Sequence, residues 1–367
     1  MTHRERLLVA LRGEAPDQVP VTWELVMRFA HALTGRTGWR AIVDAHREIG
    51  SAVFNLQGLG PAWLGTLPKG YAARSEQQAW PDGALVTTTA IETPRGRLTE
   101  RRLSAYLPHD PLVGKTVEYL VKERADYAIL ADHFGQRAAS LRFDNAESPA
   151  AKAYIADDGL AGYWMCDSVY HVANCRHSAD FILDLIDAPA VMHEVLEAAD
   201  RLKEKELAAF NESAADALVY DICWASTSLL NPRLVEEYVL PRARWAVEHK
   251  AAGKILGFFT SGRIRDVLPA LVALEPDFIE HFDVLGDCDL AEVKRQFGHR
   301  VAIVGNYSPV VLARGTLDEA RREAKRCLDA AMAGGGYILS TSDEVPADAR
   351  PDNMRAVVEY VAAHGRY

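Results

Sequence analysis

Carboxylates, histidines, amides and hydroxyls recur along this 367-residue chain at one kind of place, the end of a short apolar run. Glu24 follows residues 19–23 (VPVTW), Asn55 lies in 51–56 (SAVFNL), Asp167 follows 159–166 (GLAGYWMC), and Asp221 lies in 217–222 (ALVYDI) with Cys223 behind it. Thr260 and Ser261 end 255–260 (ILGFFT). Glu280, His281 and Asp283 belong to 277–284 (DFIEHFDV), Asn306 follows 301–305 (VAIVG), and Ser340 to Asp343 follow 337–339 (YIL). Gathered in one place, such acids repel one another's charge, so one or more would keep its proton near neutrality and serve as general acid or base; the same acids could hold a divalent cation. We take Asp167, His171, Asp221, Glu280 and His281 as catalytic candidates. Glu24, Arg28, Asn55, Cys223, Thr260, Ser261, Asn306, Ser340 and Asp343 are candidates for substrate contact. Plainer roles compete: Asp and Asn at strand ends cap helices and tie off turns, strand histidines often sit satisfied in the core, and spacing places no base beside Cys223. His171, Cys175 and His177 form H-x3-C-x-H, which matches no common zinc spacing.

The apolar runs are too short for helices and are bounded by turn residues, so they read as buried strands. Between them the pattern turns helical. Thr2 with Glu5 and Thr316 with Glu319 are capping boxes, and Asn231 before Pro232 is an N-cap with proline at the first helical position. Segments 116–122 and 148–156 also read as helical. Eight short strands alternating with helices predict an α/β fold, a (β/α)8 TIM barrel whose ligands sit at the carboxyl ends of the strands. A doubly wound nucleotide-binding sheet is disfavoured, because no glycine fingerprint follows the first strand and no GxxxxGK[ST] occurs. After the second strand the pattern breaks: 84–91 (ALVTTTAI) and 96–103 (GRLTERRL) flank Thr93-Pro94-Arg95-Gly96, an antiparallel hairpin foreign to an all-parallel sheet. We read one domain, 1–367, with 58–145 as a hairpin and helical insertion over the barrel mouth.

A net charge of −10 without any Lys/Arg block would repel nucleic acid and anionic membrane alike, which leaves a small-molecule substrate. The first residues, MTHRERLLVALRGEAPD, have no apolar core of signal-peptide length, and no run approaches a membrane span, so a cytoplasmic protein is expected. Five cysteines without CxxC spacing suggest neither a disulfide framework nor a zinc ribbon.

The segments RERLLVALRGEAPDQVPV, IETPRGRLTE, FILDLIDAPAVMHEVLE, DLAEVKRQFGHRVAIVGN and GGGYILSTSDEVPADARPDNMRAVVEYV together resemble the uroporphyrinogen decarboxylase family. That family groups decarboxylases of heme synthesis with corrinoid-linked methyltransferases, and the resemblance spans nearly the whole chain. The branch similar to methylcobamide:coenzyme M methyltransferases carries HxC after the fifth strand and a further Cys after the eighth, which together bind zinc. Here Phe259, Ser261 and Asp343 stand at those positions, so that zinc is not expected and no residue is assigned to a metal. The decarboxylase branch grips its substrate with RQAGR after the first strand and an Asp after the second. This chain has Glu24-Leu25-Val26-Met27-Arg28 and Asn55-Leu56-Gln57, so an octa-carboxylate would lack its arginines. The resemblance therefore implies, first, a methyltransferase moving a methyl group between a small methylated substrate and a corrinoid or pterin (tetrahydrofolate-type) carrier, with Asp167, Asp221 or His171 assisting leaving-group protonation. A separate corrinoid protein would be its partner, and the family also implies a homodimer. The alternatives are a decarboxylase or other lyase of a small carboxylated substrate, held by Arg28 or Arg263, and a binding barrel without chemistry.

Overall fold

Two antiparallel sheets come first along the chain. In the computed structural model, which describes residues 1–81 and 83–367, β1 (Ala62–Leu64) pairs with β6 (Arg142–Asp144). Between them β2 (Ala72–Ala79), β3 (Leu85–Thr93), β4 (Gly96–Ser104) and β5 (Gly114–Glu118) form a four-stranded meander. The β3–β4 register runs down to Thr93 opposite Gly96, so the expected hairpin closes on the Pro94-Arg95 turn. The helix expected over 116–122 is absent. Thr116 pairs with Arg102 on the sheet edge, and the next helix starts only at Asp126, because β-branched Thr116 and Val117 gain more from the adjacent strand than from a lone helical turn. The helix expected at 148–156 spans Glu147–Ile155.

Six parallel strands form the third sheet: β7 (Gly162–Cys166), β8 (Ala217–Asp221), β9 (Ile255–Phe259), β10 (Phe278–His281), β11 (Ala302–Gly305) and β12 (Tyr337–Ile338). Their order, β12-β11-β10-β9-β8-β7, follows the chain, with helices in the crossovers, so the topology is α/β. Segments 19–23 and 51–56 are not full strands. They touch their neighbours through single parallel bridges, Val21 to Leu339, Thr22 to Ala52 and Val53 to Gly159. Pro20 has no N–H to give to a ladder, and on the other side of the segment the Thr22 hydroxyl donates to the Ala52 carbonyl at 2.9 Å.

The described residues divide into two compact units. Met1–Gly60, Ala146–Met165 and Phe210–Tyr367 form the first; Pro61–Asn145 and Cys166–Ala209 form the second, which therefore takes in Cys166–Ala209 besides the hairpin. In the first unit, alternate residues of the parallel strands, among them Ala217, Val219, Phe278, Ala302, Val304 and Ile338, pack into one core. Leu7, Ala10 and Leu11 of the helix His3–Leu11 join it, and the Thr2–Glu5 capping box holds that helix at its start. Gly257 is demanded by this packing: a Cβ there would lie 2.4 Å from the Phe278 ring. Among the described residues no helix is long and apolar enough to cross a membrane.

Candidate functional site

Period-two alternation carries the core pattern up each strand to its tip, so the side that buries Phe278 also buries Glu280. His281, one residue on, should face the other way. It does not, because the chain turns with φ of +85° at His281 and +44° at Phe282. Such values are costly outside glycine and persist only where neighbours enforce them. Here the Thr260 hydroxyl donates to the Glu280 carbonyl at 2.9 Å and the Asn306 amide donates to the Phe282 carbonyl at 2.9 Å, while Arg326 bonds the Asn306 Oδ1 at 3.0 Å. Thr260 and Asn306, expected as substrate contacts, hold the β10 tip through these bonds.

The result is a cluster of Glu24, Glu280 and His281, each no more than 3% exposed. His281 Nε2 lies 4.0 Å from Glu24 Oε2 and Nδ1 lies 3.8 Å from Glu280 Oε1, and one donor atom from each residue falls within 4.8 Å of the others. Asn55 anchors the near side, its amide reaching both Glu24 oxygens at 3.0 Å. Phe259 closes another, its ring 4.2 Å from the His281 ring. Among the described residues no hydrogen bond reaches either nitrogen of His281 or Glu280 Oε1. Among the described residues no Lys or Arg pairs with either carboxylate. Burial, reinforced by the charges of Glu24 and Asp221, pushes the Glu280 carboxyl well above its usual range. Glu24 is raised the same way: burial and the nearby Glu344, Asp343 and Asp221 outweigh the Asn55 hydrogen bond. Burial lowers His281, keeping the ring neutral. This pocket favours whatever brings positive charge into it.

The other expected residues are not ligand-distance members of the cluster, although the charges of Asp221 and Asp343 reach it. Asp221 and Cys223 belong to the same unit, and an Asp221 oxygen accepts the Cys223 backbone N–H at 2.9 Å in a tight turn. Ser340 is buried beside Thr341, whose hydroxyl accepts the Glu24 N–H at 3.3 Å. Ser261 is partly exposed; Asp343 is exposed and accepts the Glu344 N–H. Arg28 lies 3.7 Å from Glu344 and Arg263 lies 3.5 Å from Asp287, so each proposed carboxylate grip already faces a carboxylate of its own chain. Asp167 and His171 belong to the second unit. Asp167 caps the helix Ser168–Ala173, accepting the Tyr170 N–H at 2.7 Å, and His171 lies on that helix.

His171 instead lines a cleft of about 230 Å³ with Trp63, Arg137, Cys166, Lys203 and Glu206. Lys203 is only 5% exposed and reaches Glu206 at 2.9 Å and the Cys166 sulfur at 3.5 Å. Burial opposes its charge, but Glu206 and Cys166 more than restore it, and the Lys203 pKa is raised. Arg137 stands over the Trp63 ring at 5.1 Å. Lys203, which the sequence reading passed over, had a detectable signal: it occupies the apolar stripe of Met192, Val195, Leu196, Ala199 and Leu202 on the helix Pro189–Glu212. Phe259 was noted only as a missing ligand, and its role as a wall had no signal in spacing.

The family model for uroporphyrinogen decarboxylase (URO-D) matches residues 169–364, more than half of the chain. The chain belongs to the uroporphyrinogen decarboxylase family. It is 27% identical over 188 residues to a uroporphyrinogen decarboxylase of Methylococcus capsulatus, covering 48% of this chain and 50% of that one. Over 194 residues it is 27% identical to that of Chloroflexus aurantiacus, with 49% and 50% covered. The chain thus spans about half the length of the curated relatives it matches. Along nearly its whole length the fold is like that of a methyltransferase from Methanosarcina mazei, with a TM-score of 0.65, 15% identity and 99% of both chains covered. The zinc implied by the methyltransferase branch of the URO-D family does not fit the residues present. Phe259, Ser261 and Asp343 offer a phenyl ring, a hydroxyl and an exposed carboxylate where a soft ion needs thiolates and imidazole, and the phenyl ring is packed on His281.

Proposed function

We propose that this URO-D family chain is a methyltransferase acting between a small methylated substrate and a corrinoid or pterin carrier, the corrinoid on a separate protein. The Glu24–Glu280–His281 cluster would draw charge from the leaving atom. Breaking a methyl–heteroatom bond leaves the electron pair on oxygen, nitrogen or sulfur, and the barrier falls when that pair meets a proton or a cation. The carrier would take up or deliver the methyl group. The observation that carries this reading is a pair of buried carboxylates with an imidazole between them and, among the described residues, no lysine or arginine partner, a pocket that favours bound positive charge. Leaving-group assistance thus moves from Asp167 and His171 to Glu280 and its neighbours. A closed (β/α)8 barrel fits the bridges from Leu339 through Val21 and Thr22 to Ala52, and from Val53 to Gly159, since they link the two ends of the parallel sheet.

The test is methyl transfer from methyl ethers, methylamines and methyl thioethers to reduced cobalamin, followed by absorption as the methylated corrinoid forms. Transfer that falls about 10²–10⁴-fold in Glu280→Gln supports the reading. Release of carbon dioxide from a small carboxylated substrate, with no methyl transfer from any donor, would replace it with the lyase alternative.

A further inference from the structure

We infer that Glu24, Glu280 and His281 form a binding site for one divalent first-row metal ion, held by two carboxylate oxygens and one imidazole nitrogen. The inference deepens the functional reading above and rests on it for the ion's use, though not for its binding. Two carboxylates, each no more than 3% exposed, sit beside an imidazole, with no lysine or arginine ion-paired to either among the described residues. A divalent ion that displaces their protons balances both carboxylates with one particle. Among the described residues, Glu280 Oε1 and both ring nitrogens of His281, a side chain 1% exposed that lies between the two acids, have no hydrogen-bond partner, which leaves an oxygen and a nitrogen for a metal. One ring nitrogen would ligate, and the other would donate its N–H to the carboxylate oxygen left off the metal, which fixes the tautomer.

The size is right. Bonds of about 2.1 Å place neighbouring ligand atoms roughly 3.0–3.5 Å apart, against a present span within 4.8 Å. Closing that gap takes about 1 Å of side-chain movement, well within small χ adjustments. The supporting contacts are already in place. Asn55 holds both oxygens of Glu24, Thr260 and Asn306 pin the carbonyls of Glu280 and Phe282, and the Phe259 ring keeps His281 from swinging away.

The donor set names the class of ion. Two carboxylates and an imidazole suit Mn²⁺, Fe²⁺, Co²⁺ or Zn²⁺ and give a soft ion such as Cu⁺ nothing to hold, since no thiolate takes part. Ligand positions left open would accept the heteroatom of a substrate, where the ion acts as a Lewis acid on the leaving group. These are different residues from those that align with the zinc ligands of the methyltransferase branch, and a different chemistry, with oxygen donors in place of sulfur.

The test strips the full-length protein with chelator and titrates Co²⁺ while recording the visible spectrum, with element analysis of the loaded protein after dialysis and melting curves with Mn²⁺ and Zn²⁺. We expect one ion per chain, ligand-field bands without a thiolate charge-transfer band, and a rise in melting temperature on loading. Glu280→Gln and His281→Gln should each weaken binding at least about a hundredfold. Metal-free Glu280→Gln should melt no lower than the metal-free parent, which separates loss of a ligand from loss of the fold. No stoichiometric uptake, uptake unchanged in both variants, or a thiolate band would each overturn the site. Uptake with no methyl transfer would sink the functional reading and leave the site standing. Methyl transfer undiminished by chelator, without uptake, would do the reverse.

Discussion

His281 and His171 carry the same side chain into opposite surroundings. His281 lies between two carboxylates in the parallel-sheet unit, with no basic residue paired to either acid among the described residues. His171 lines a cleft in the second unit with Lys203 and Arg137. Both rings are kept neutral, but for different reasons: burial alone lowers His281, whereas burial together with the charges of Lys203, Arg137 and His133 lowers His171. A neutral ring among acids is poised to ligate a cation. A neutral ring among cations is poised to accept from a donor or to face an anion. Residue type alone thus says little about chemistry, because the sign of the surrounding charge decides which partner the ring can take.

The largest effect that would break this contrast is on turnover. Glu280→Gln should lower methyl transfer by about 10²–10⁴-fold, while Lys203→Met changes it by less than about tenfold. A reversed ranking in steady-state rates would move the chemistry into the second unit. Stability should rank the other way. Lys203→Met removes a buried ammonium that bonds Glu206 and Cys166 and should cost about 1–3 kcal/mol in urea unfolding. Metal-free Glu280→Gln should be neutral or slightly stabilising, because it takes away a poorly partnered buried acid.

Acid should sharpen the contrast further. His133, 1% exposed in the second unit, is lowered to about 4, by burial first and then by Arg137. Its folded pKa lies below the unfolded value near 6.5. The stability it contributes is therefore complete above pH 6.5 and is lost as pH falls toward 4, by at most about 1.4 kcal/mol per pH unit. Urea midpoints of the parent and His133→Gln across that window should converge as the pH drops; parallel curves would remove His133 from the account. The smallest effect belongs to Arg28, whose contact with Glu344 is partly exposed on both sides. Arg28→Ala should shift stability by less than about 1 kcal/mol and leave methyl transfer near the parent rate. A large loss of substrate affinity would instead revive the lyase alternative.

Much of the scaffold was legible because it rests on local rules. Strand runs at 217–222, 255–260, 277–284 and 301–305 became β8 to β11 within a few residues, and the capping boxes at Thr2 and Thr316 and the N-cap at Asn231 formed as their side-chain chemistry requires. The segment at 116–122 misled because its helical pattern was weak and β4 offered its backbone a partner, a non-local event. Within the site, Glu24, Glu280 and His281 were all candidates. So were Thr260 and Asn306, and these turned out to buttress the β10 tip, a distinction that depends on where a hydroxyl and an amide find carbonyls.

Composition, periodicity and capping determined by themselves that this chain would build parallel strands with acidic and polar tips, since those signals act over a few residues. Only the tertiary structure decided which tips meet. Alternation places Glu280 and His281 on opposite faces, and the turn at His281, enforced by contacts from the residues just after β9 and β11, brings them together. Tertiary folding likewise left the two acids without a lysine or arginine partner among the described residues, and no reading of neighbours along the chain can show which charges will be missing.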